Sequence, residues 1–524
     1  MFAIRRAVPY VLISLFLSCS VGFCSQKDQG RPLGKNEKFN VVLIILHAFP
    51  RNHLGCYGYP ENTSPAIDAL SRDGITFNNA FCQFPLTLPS IVSIYTSLYP
   101  SSHQIVHIFK DKVPDKAHTL ADILKIYGYF TVWFGNTADP LMGANQGALK
   151  GFDELCQLRP RSSPKEILSW IKRHDKKNFF LTIHPYWTHP KTTTVDIFDN
   201  RFSRRVPRRF FDEIDQSYKN GWMNIQEKLK TDPAFLYQIF GEDWVTQNQQ
   251  LLLQPYSSRL RVLFGTEGGA FDQNFHRLSD LFLWPVDKFL NSLEGQQLQY
   301  YLWLLDSALL EIDEDYVRQV VNTLKKEGIY DKTIIIVTAD HGNEYKEHGQ
   351  MGHGRLLYDE ALKIPMIFHI PGLGSGVKID SIVESVDILP TVCDLLGIPV
   401  PYQAQGVSLR KLWEGGDKGG EERYTISQSI GSKSIARNLA AIRSRRWKLI
   451  MDEEGLELKE LYDMKKDPGE LQNVISGNLE VAKELSEKYI SKIKSLPSYQ
   501  NSKSEFFPNI DEKTRKRIQE TGYW

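Results

Sequence analysis

The sequence predicts an α/β fold: a mostly parallel sheet sandwiched by helices, with a smaller C-terminal antiparallel-sheet subdomain. Three observations lead there. Apolar runs recur without polar alternation, as in strands buried on both faces of a parallel sheet. Amphipathic segments separate them, and the pattern changes after residue 405. Taken in order, Phe39 to Leu46 is the first buried strand. Phe179 to Ile183, Thr333 to Val337 and Met366 to Ile370 repeat its character, while Thr119 to Tyr127, Ile312 to Lys326 and Val386 to Leu396 have helical periodicity. Residues 191–297, rich in Arg, Gln, Phe and Trp, interrupt the alternation and read as an insertion near the crevice. Asn438 to Met451 and Leu456 to Tyr462 fit strands of the smaller sheet, and Leu479 to Leu496 a closing helix.

Composition narrows the class. The chain has 524 residues, 42% of them hydrophobic and 24% charged, enough apolar mass for a large core. Its 63 basic and 62 acidic residues leave a formal charge of +1, so no overall field draws in nucleic acid and any anion specificity is local. Met1 to Cys24 reads as a signal peptide, with Arg5 and Arg6 ahead of an apolar stretch from Ala7 to Leu17. Phe16-Leu17-Ser18-Cys19 looks like a loose lipobox, which would lipidate Cys19 and attach the chain to a membrane; ordinary cleavage near Cys24 or Ser25 is the alternative. The reading is thus an exported protein, periplasmic, extracellular or lipid-anchored at the cell envelope. Its order is signal 1–24, tether 25–38, α/β domain 39–404, C-terminal subdomain 405–498 and tail 499–524. Cys56, Cys82, Cys156 and Cys393 are widely spaced, and no pairing follows from sequence.

In open parallel sheets the ligand sits beyond the carboxyl ends of the strands. The residues there are His47, His184 with His189, and Asp340 with His341. Three strand ends thus bring metal-ligand or acid–base residue types to one crevice.

The order of motifs then resembles the sulfatase family of the alkaline-phosphatase superfamily. Asn40 to Leu46 followed by His53-Leu54-Gly55-Cys56-Tyr57-Gly58-Tyr59 looks like that family's opening. Pro85-Leu86-Thr87-Leu88-Pro89-Ser90, Thr338-Ala339-Asp340-His341-Gly342, Gly352-His353-Gly354 and Glu460-Leu461-Tyr462-Asp463 follow in its order. The resemblance implies a nucleophile at Thr87, at the start of a helix. Thr cannot become the formylglycine of most sulfatases, and Ile91 stands where the motif's Arg or His would be, so no formylglycine is expected; a hydroxyl still suits phosphoryl transfer. Asp340 and His341 are metal ligands by resemblance, and His47 stands where the family has an Asp. Ala48 and Asn52 replace further carboxylates, which makes calcium a poor fit, whereas His47, Asp340 and His341 suit Zn²⁺ or Fe²⁺. By resemblance His189 matches the family's substrate-side His, and His353 a position near the leaving-group oxygen. Two readings follow. One is a metal-dependent hydrolase of sulfate or phosphate esters carried by a small molecule, glycan or lipid. The other is a degenerate relative that binds anionic glycans or lipids without turnover.

Overall fold

The computed structural model describes residues 38–105, 112–136, 147–158, 163–185, 200–231, 288–354, 356–373, 376–415, 422–430 and 438–496. The expected signal (1–24), most of the expected tether (25–38), His189 and the expected tail lie outside these residues. Strand β1 (Asn40–Leu46) is wholly buried, and its Val, Leu and Ile run fills the centre of a nine-stranded sheet. The other members are β2 (Ile75–Phe81), β3 (Phe130–Gly135), β4 (Glu154–Gln157), β5 (Phe179–Ile183), β6 (Thr333–Ala339), β9 (Lys363–Ile364), β10 (Met366–His369) and β11 (Val377–Glu384). They run in the order β11-β2-β10-β6-β1-β5-β3-β4, with β9 paired to β2. A hairpin of β7 (Glu344–Tyr345) and β8 (Met351–Gly352) lies between β6 and β9 in the chain.

The sheet is mostly parallel, with an exception inside it. β10 runs antiparallel to both β6 and β2, although its apolar run reads like those of its parallel neighbours. An apolar run reports burial on both faces and carries no direction. Strands β2, β3, β4 and β11 escaped the pattern reading. β11 (VKIDSIVE) interleaves Lys and Asp with aliphatics at its exposed start, and β4 has four residues, too few to show a period.

The helical expectation for Ile312 to Lys326 is met in a modified form. The chain is already helical from Gly295 to Glu311, winds as a π-helix from Ile312 to Val317, and returns to α geometry from Arg318 to Lys326. The extra backbone in the π turn lets buried Asp313 accept the N–H groups of Ala66 and Ile67 at 2.7 and 2.8 Å. It thereby caps α1 (Pro65–Arg72), whose own N-cap Ser64 makes no side-chain cap bond. Within the expected insertion, Arg208–Thr231 is a 24-residue helix, and the Gly295 helix that begins at its end buries Tyr301, Leu304 and Leu305 in the main core.

The smaller sheet is antiparallel, β12 (Thr425–Ser429), β13 (Leu439–Arg443), β14 (Trp447–Asp452) and β15 (Leu458–Asp463) in that order. The stretch from Asn438 to Met451 is therefore two strands with a turn at Ser444. Helix Leu479–Ser495 closes this sheet through Ala482, Leu485 and Tyr489. The subdomain is bolted to the main domain by Lys448. Its Nζ is fully buried, 2.9 Å from Asp359 Oδ1 and 2.6 Å from Glu470 Oε1. Among the described residues no helix is long and apolar enough to cross a membrane, and all four described cysteines are free.

Candidate functional site

Register places the crevice residues. β1 pairs β6 with Leu46 opposite Ala339, so His47 and Asp340 leave the sheet side by side. β1 pairs β5 with Ile44 opposite Ile183, which sets His184 beside Ile45. Because Ile45 and residue 47 lie on one face of a pleated strand, all three side chains are directed to the same face.

The result is a buried cluster. His47 Nδ1 lies 3.2 Å from Asp340 Oδ2 and 3.4 Å from His184 Nε2, and His184 Nε2 lies 3.8 Å from Asp340 Oδ2. The rings of His47 and His184 are 5.3 Å apart. Asp340 is held from its other oxygen. Oδ1 accepts the backbone N–H of Ala48 and of His341, both at 2.8 Å. Ala48 reaches that position in the left-handed region, at φ 47°, where a side chain is strained. Oδ2 is buried and accepts no hydrogen bond of ordinary geometry, although three imidazole nitrogens surround it.

Burial raises the carboxyl pKa of Asp340, but the His341 and His47 rings outweigh it, and the net direction is well below the usual range. The two backbone donors on Oδ1 also favour the carboxylate. Burial is the main cause that pushes His184 down to about 3 and lowers His341, while the Asp340 carboxylate opposes it at both rings.

Thr87 opens α2 (Thr87–Thr96), whose N-cap is Leu86, a residue with no side chain that can cap. The first residue of this helix contacts His341, so its N-terminus, with its partial positive charge, lies at the crevice. Ser90 ties this turn to β6 by donating its hydroxyl to the Asp340 carbonyl. Thr87 Oγ1 lies 3.3 Å from His341 Nε2. The tautomer of His341 follows from its other nitrogen. Nδ1 is 2.7 Å from the Gly342 carbonyl, which only accepts, so Nδ1 carries the hydrogen and Nε2 accepts from the Thr87 hydroxyl.

His353 joins from the loop after β8. Its ring centroid is 4.4 Å from that of His341, and its Nδ1 donates to Asn343 Oδ1 at 2.8 Å. The Asn343 amide is oriented by its own donation to the Glu344 carbonyl at 3.0 Å. Gly342 explains the small residue after Asp340-His341. A Cβ there would sit 1.9 Å from the Glu360 carbonyl oxygen, so this segment packs against the next only without a side chain.

The comparisons with known proteins agree with this frame. The sulfatase family profile matches residues 39–398, and the profile of the N-sulphoglucosamine sulphohydrolase C-terminal region matches 346–496. The chain belongs to the sulfatase family. An N-acetylglucosamine-6-O-sulfatase of Bacteroides thetaiotaomicron is 25% identical to this sulfatase-family chain over 527 residues, covering 93% of it and 90% of the relative. A Delta 4,5-hexuronate-2-O-sulfatase of the same organism is 24% identical, covering 84% and 85%. A solved structure in complex with its substrate D-glucosamine-2-N,6-O-disulfate superposes with a TM-score of 0.61 at 21% identity, covering 89% of this chain and 100% of that one. Phosphonate monoester hydrolase of Agrobacterium radiobacter gives 0.60 at 20% identity, covering 88% and 96%.

Of the residues singled out from the sequence of this sulfatase-family chain, Thr87, His47, Asp340, His341 and His353 meet in the crevice, and His189 lies outside the described residues. His341 touches Thr87 at 3.3 Å and stands 3.7 Å from Asp340 Oδ2. The set of three candidate metal-binding atoms within 4.8 Å of one another comes instead from His47, His184 and Asp340. His184 stands at a strand end in the sequence, but the ligand set read from the motifs is His47, Asp340 and His341. Strand register, which is not written in local sequence, is the signal that adds it. Asn343 was also missed: an Asn two residues after a motif His gives no sign that it holds a third ring.

Proposed function

We propose that this chain is an exported hydrolase of sulfate or phosphate esters in which Thr87 is the nucleophile and no formylglycine forms. The observation that carries the reading is the Thr87 hydroxyl, buried at a helix N-terminus and 3.3 Å from the lone-pair nitrogen of His341. Oγ1 bonds to sulfur or phosphorus as its proton passes to His341 Nε2, and the ester C–O oxygen departs and takes a proton from His353 or water. Water then cleaves the Thr87 ester and releases sulfate or phosphate. The α2 N-terminus faces the charge that develops on the non-bridging oxygens. Sulfatases are metal-dependent, and the crevice offers the imidazoles of His47 and His184 with the Asp340 carboxylate, a donor set suited to Zn²⁺ and short of the six to eight oxygens that Ca²⁺ takes. When bound, such an ion supplies Lewis-acid polarisation of an ester oxygen. The relatives' names support a sulfated glycan as substrate, with His189 on the substrate side and His353 near the leaving-group oxygen.

A second reading is favoured by one feature. Ala48 gives Asp340 a backbone N–H where the family supplies a carboxylate, so the pocket retains anion-binding donors with a reduced acidic set. On that reading the protein binds anionic glycans or lipids without turnover. Turnover of p-nitrophenyl sulfate and p-nitrophenyl phosphate separates the two. Wild type should hydrolyse at least one, and Thr87→Ala should abolish it. Binding of a sulfated disaccharide with no turnover of either ester supports the second reading.

A further inference from the structure

We infer that the metal site of this chain is displaced: its protein ligands are His47 Nδ1, His184 Nε2 and Asp340 Oδ2, it takes a borderline divalent transition ion, and His341 is released to hold Thr87. The inference rests on reading the crevice as the ester-hydrolysing site, and it deepens that reading by changing which residues do what.

Spacing is the first support. Two ligand atoms about 2.0–2.1 Å from one zinc-like ion, at tetrahedral or trigonal angles, lie about 3.3–3.6 Å from each other. The three separations here are 3.2, 3.4 and 3.8 Å. Ion-sized contact with all three atoms therefore needs adjustments of only a few tenths of an ångström.

Chemistry is the second. A proton on His47 Nδ1 can serve Asp340 Oδ2 or His184 Nε2 at one time, whereas a cation serves all three atoms together. Oδ2 is a wholly buried carboxylate oxygen with no hydrogen bond of ordinary geometry, ringed by nitrogens, while Oδ1 is fixed by two backbone donors. That division resembles a ligating carboxylate whose second oxygen is held by outer partners. Two imidazole nitrogens and one carboxylate oxygen select zinc-like ions over Ca²⁺ or Mg²⁺, which prefer all-oxygen shells.

The third support is the position of His341. Its Nε2 is 3.3 Å from Thr87 Oγ1, and its Nδ1 is committed to the Gly342 carbonyl. With His184 taking a place on the ion, the Asp340-His341 pair divides its work: the carboxylate faces the metal and the imidazole faces the nucleophile.

The test uses the full chain stripped of metal and titrated with Co²⁺, Zn²⁺ or Ca²⁺ alone. Cobalt should bind at one equivalent, with the visible absorption of a nitrogen-ligated low-coordinate site, and Zn²⁺ but not Ca²⁺ should raise the unfolding temperature. His184→Ala should weaken Co²⁺ by more than the roughly 10–100-fold that an outer partner is worth. His341→Ala should keep Co²⁺ affinity within about threefold while abolishing ester turnover. Should His184→Ala fold poorly, His184→Asn and the wild-type melting shift carry the same comparison. Loss of Co²⁺ in His341→Ala with retention in His184→Ala overturns the assignment, as does a wild type that takes neither Co²⁺ nor Zn²⁺. Cobalt bound through His184 without turnover of either ester removes the hydrolase reading and leaves the site standing. Turnover by a metal-free wild type does the reverse.

Discussion

Replacing Lys448 with Met should destabilise the protein in a pH-dependent way. The ammonium lies between Asp359 and Glu470 with no solvent exposure of its side chain, and Asp359 has a second partner in Arg443 at 3.3 Å. Burial raises the Asp359 carboxyl, but Arg443 and Lys448 outweigh it and hold the group below its ordinary range. Glu470 has less help: burial dominates and pushes it up to about 7 despite Lys448. Removing one member of a buried ion pair costs about 3–5 kcal/mol when the other stays charged. Glu470 can escape part of that cost by holding its proton. Its folded pKa lies above the unfolded value, so in wild type its contribution to stability is present at low pH and is lost as pH rises toward 7. Without Lys448 the folded pKa moves higher and the loss continues past 7. The difference between wild type and Lys448→Met should therefore be smaller at pH 6 than above pH 7. Above about 7 it should grow by about 1.4 kcal/mol per pH unit until the variant's own Glu470 titrates. Urea unfolding of both proteins at pH 6, 7 and 8.5 measures this. A difference below about 1 kcal/mol at pH 8.5, or one that is the same at pH 6 and 8.5, would refute the argument.

Other expectations follow from single contacts. Gly342→Ala must push the Asp340-His341 segment off the Glu360 carbonyl, and turnover of a p-nitrophenyl ester should fall by about 100-fold, as misplacement of about 1 Å does elsewhere. Asp313→Ala strands the buried Ala66 and Ile67 N–H groups and should cost about 1–3 kcal/mol in urea unfolding; Asp313→Asn, which keeps one acceptor, should cost less. His47→Asp puts a second carboxylate beside Asp340 and should shift preference from Zn²⁺ toward Ca²⁺ or Mg²⁺, read by calorimetric titration with each ion. Mass spectrometry of the peptide spanning Cys82 to Tyr95 should show unmodified Thr87; an aldehyde at that position contradicts the nucleophile assignment.

Local pattern carried much of the fold. The VVLIIL core of β1 and the IIIV core of β6 read as buried strands, because they are continuous aliphatic runs rich in β-branched residues. Their last residues then announce His47 and Asp340 as crevice residues, and the order of motifs around Thr87, His341 and His353 points to the family. β10 shows the limit of that reading. Its apolar residues satisfy burial equally well in either direction, and its antiparallel course is decided by where β9 and β11 leave it between β2 and β6.

By itself, then, the sequence marked β1, β5, β6 and β10 as buried strands, put His47, His184 and Asp340 just beyond their carboxyl ends, and showed a hydroxyl at residue 87. Tertiary structure alone decided which of four histidines face Asp340 and which faces Thr87. His184 enters the cluster because β5 pairs β1 in a register that puts it on the same face as His47. His341 turns to Thr87 because the Gly342 carbonyl takes the hydrogen of its Nδ1, and Gly342 can lie against Glu360 only without a side chain. The His47–His184 and Thr87–His341 contacts join residues 137 and 254 positions apart. Periodicity reports only how one segment meets its own surroundings, and register between distant strands is settled when the core packs.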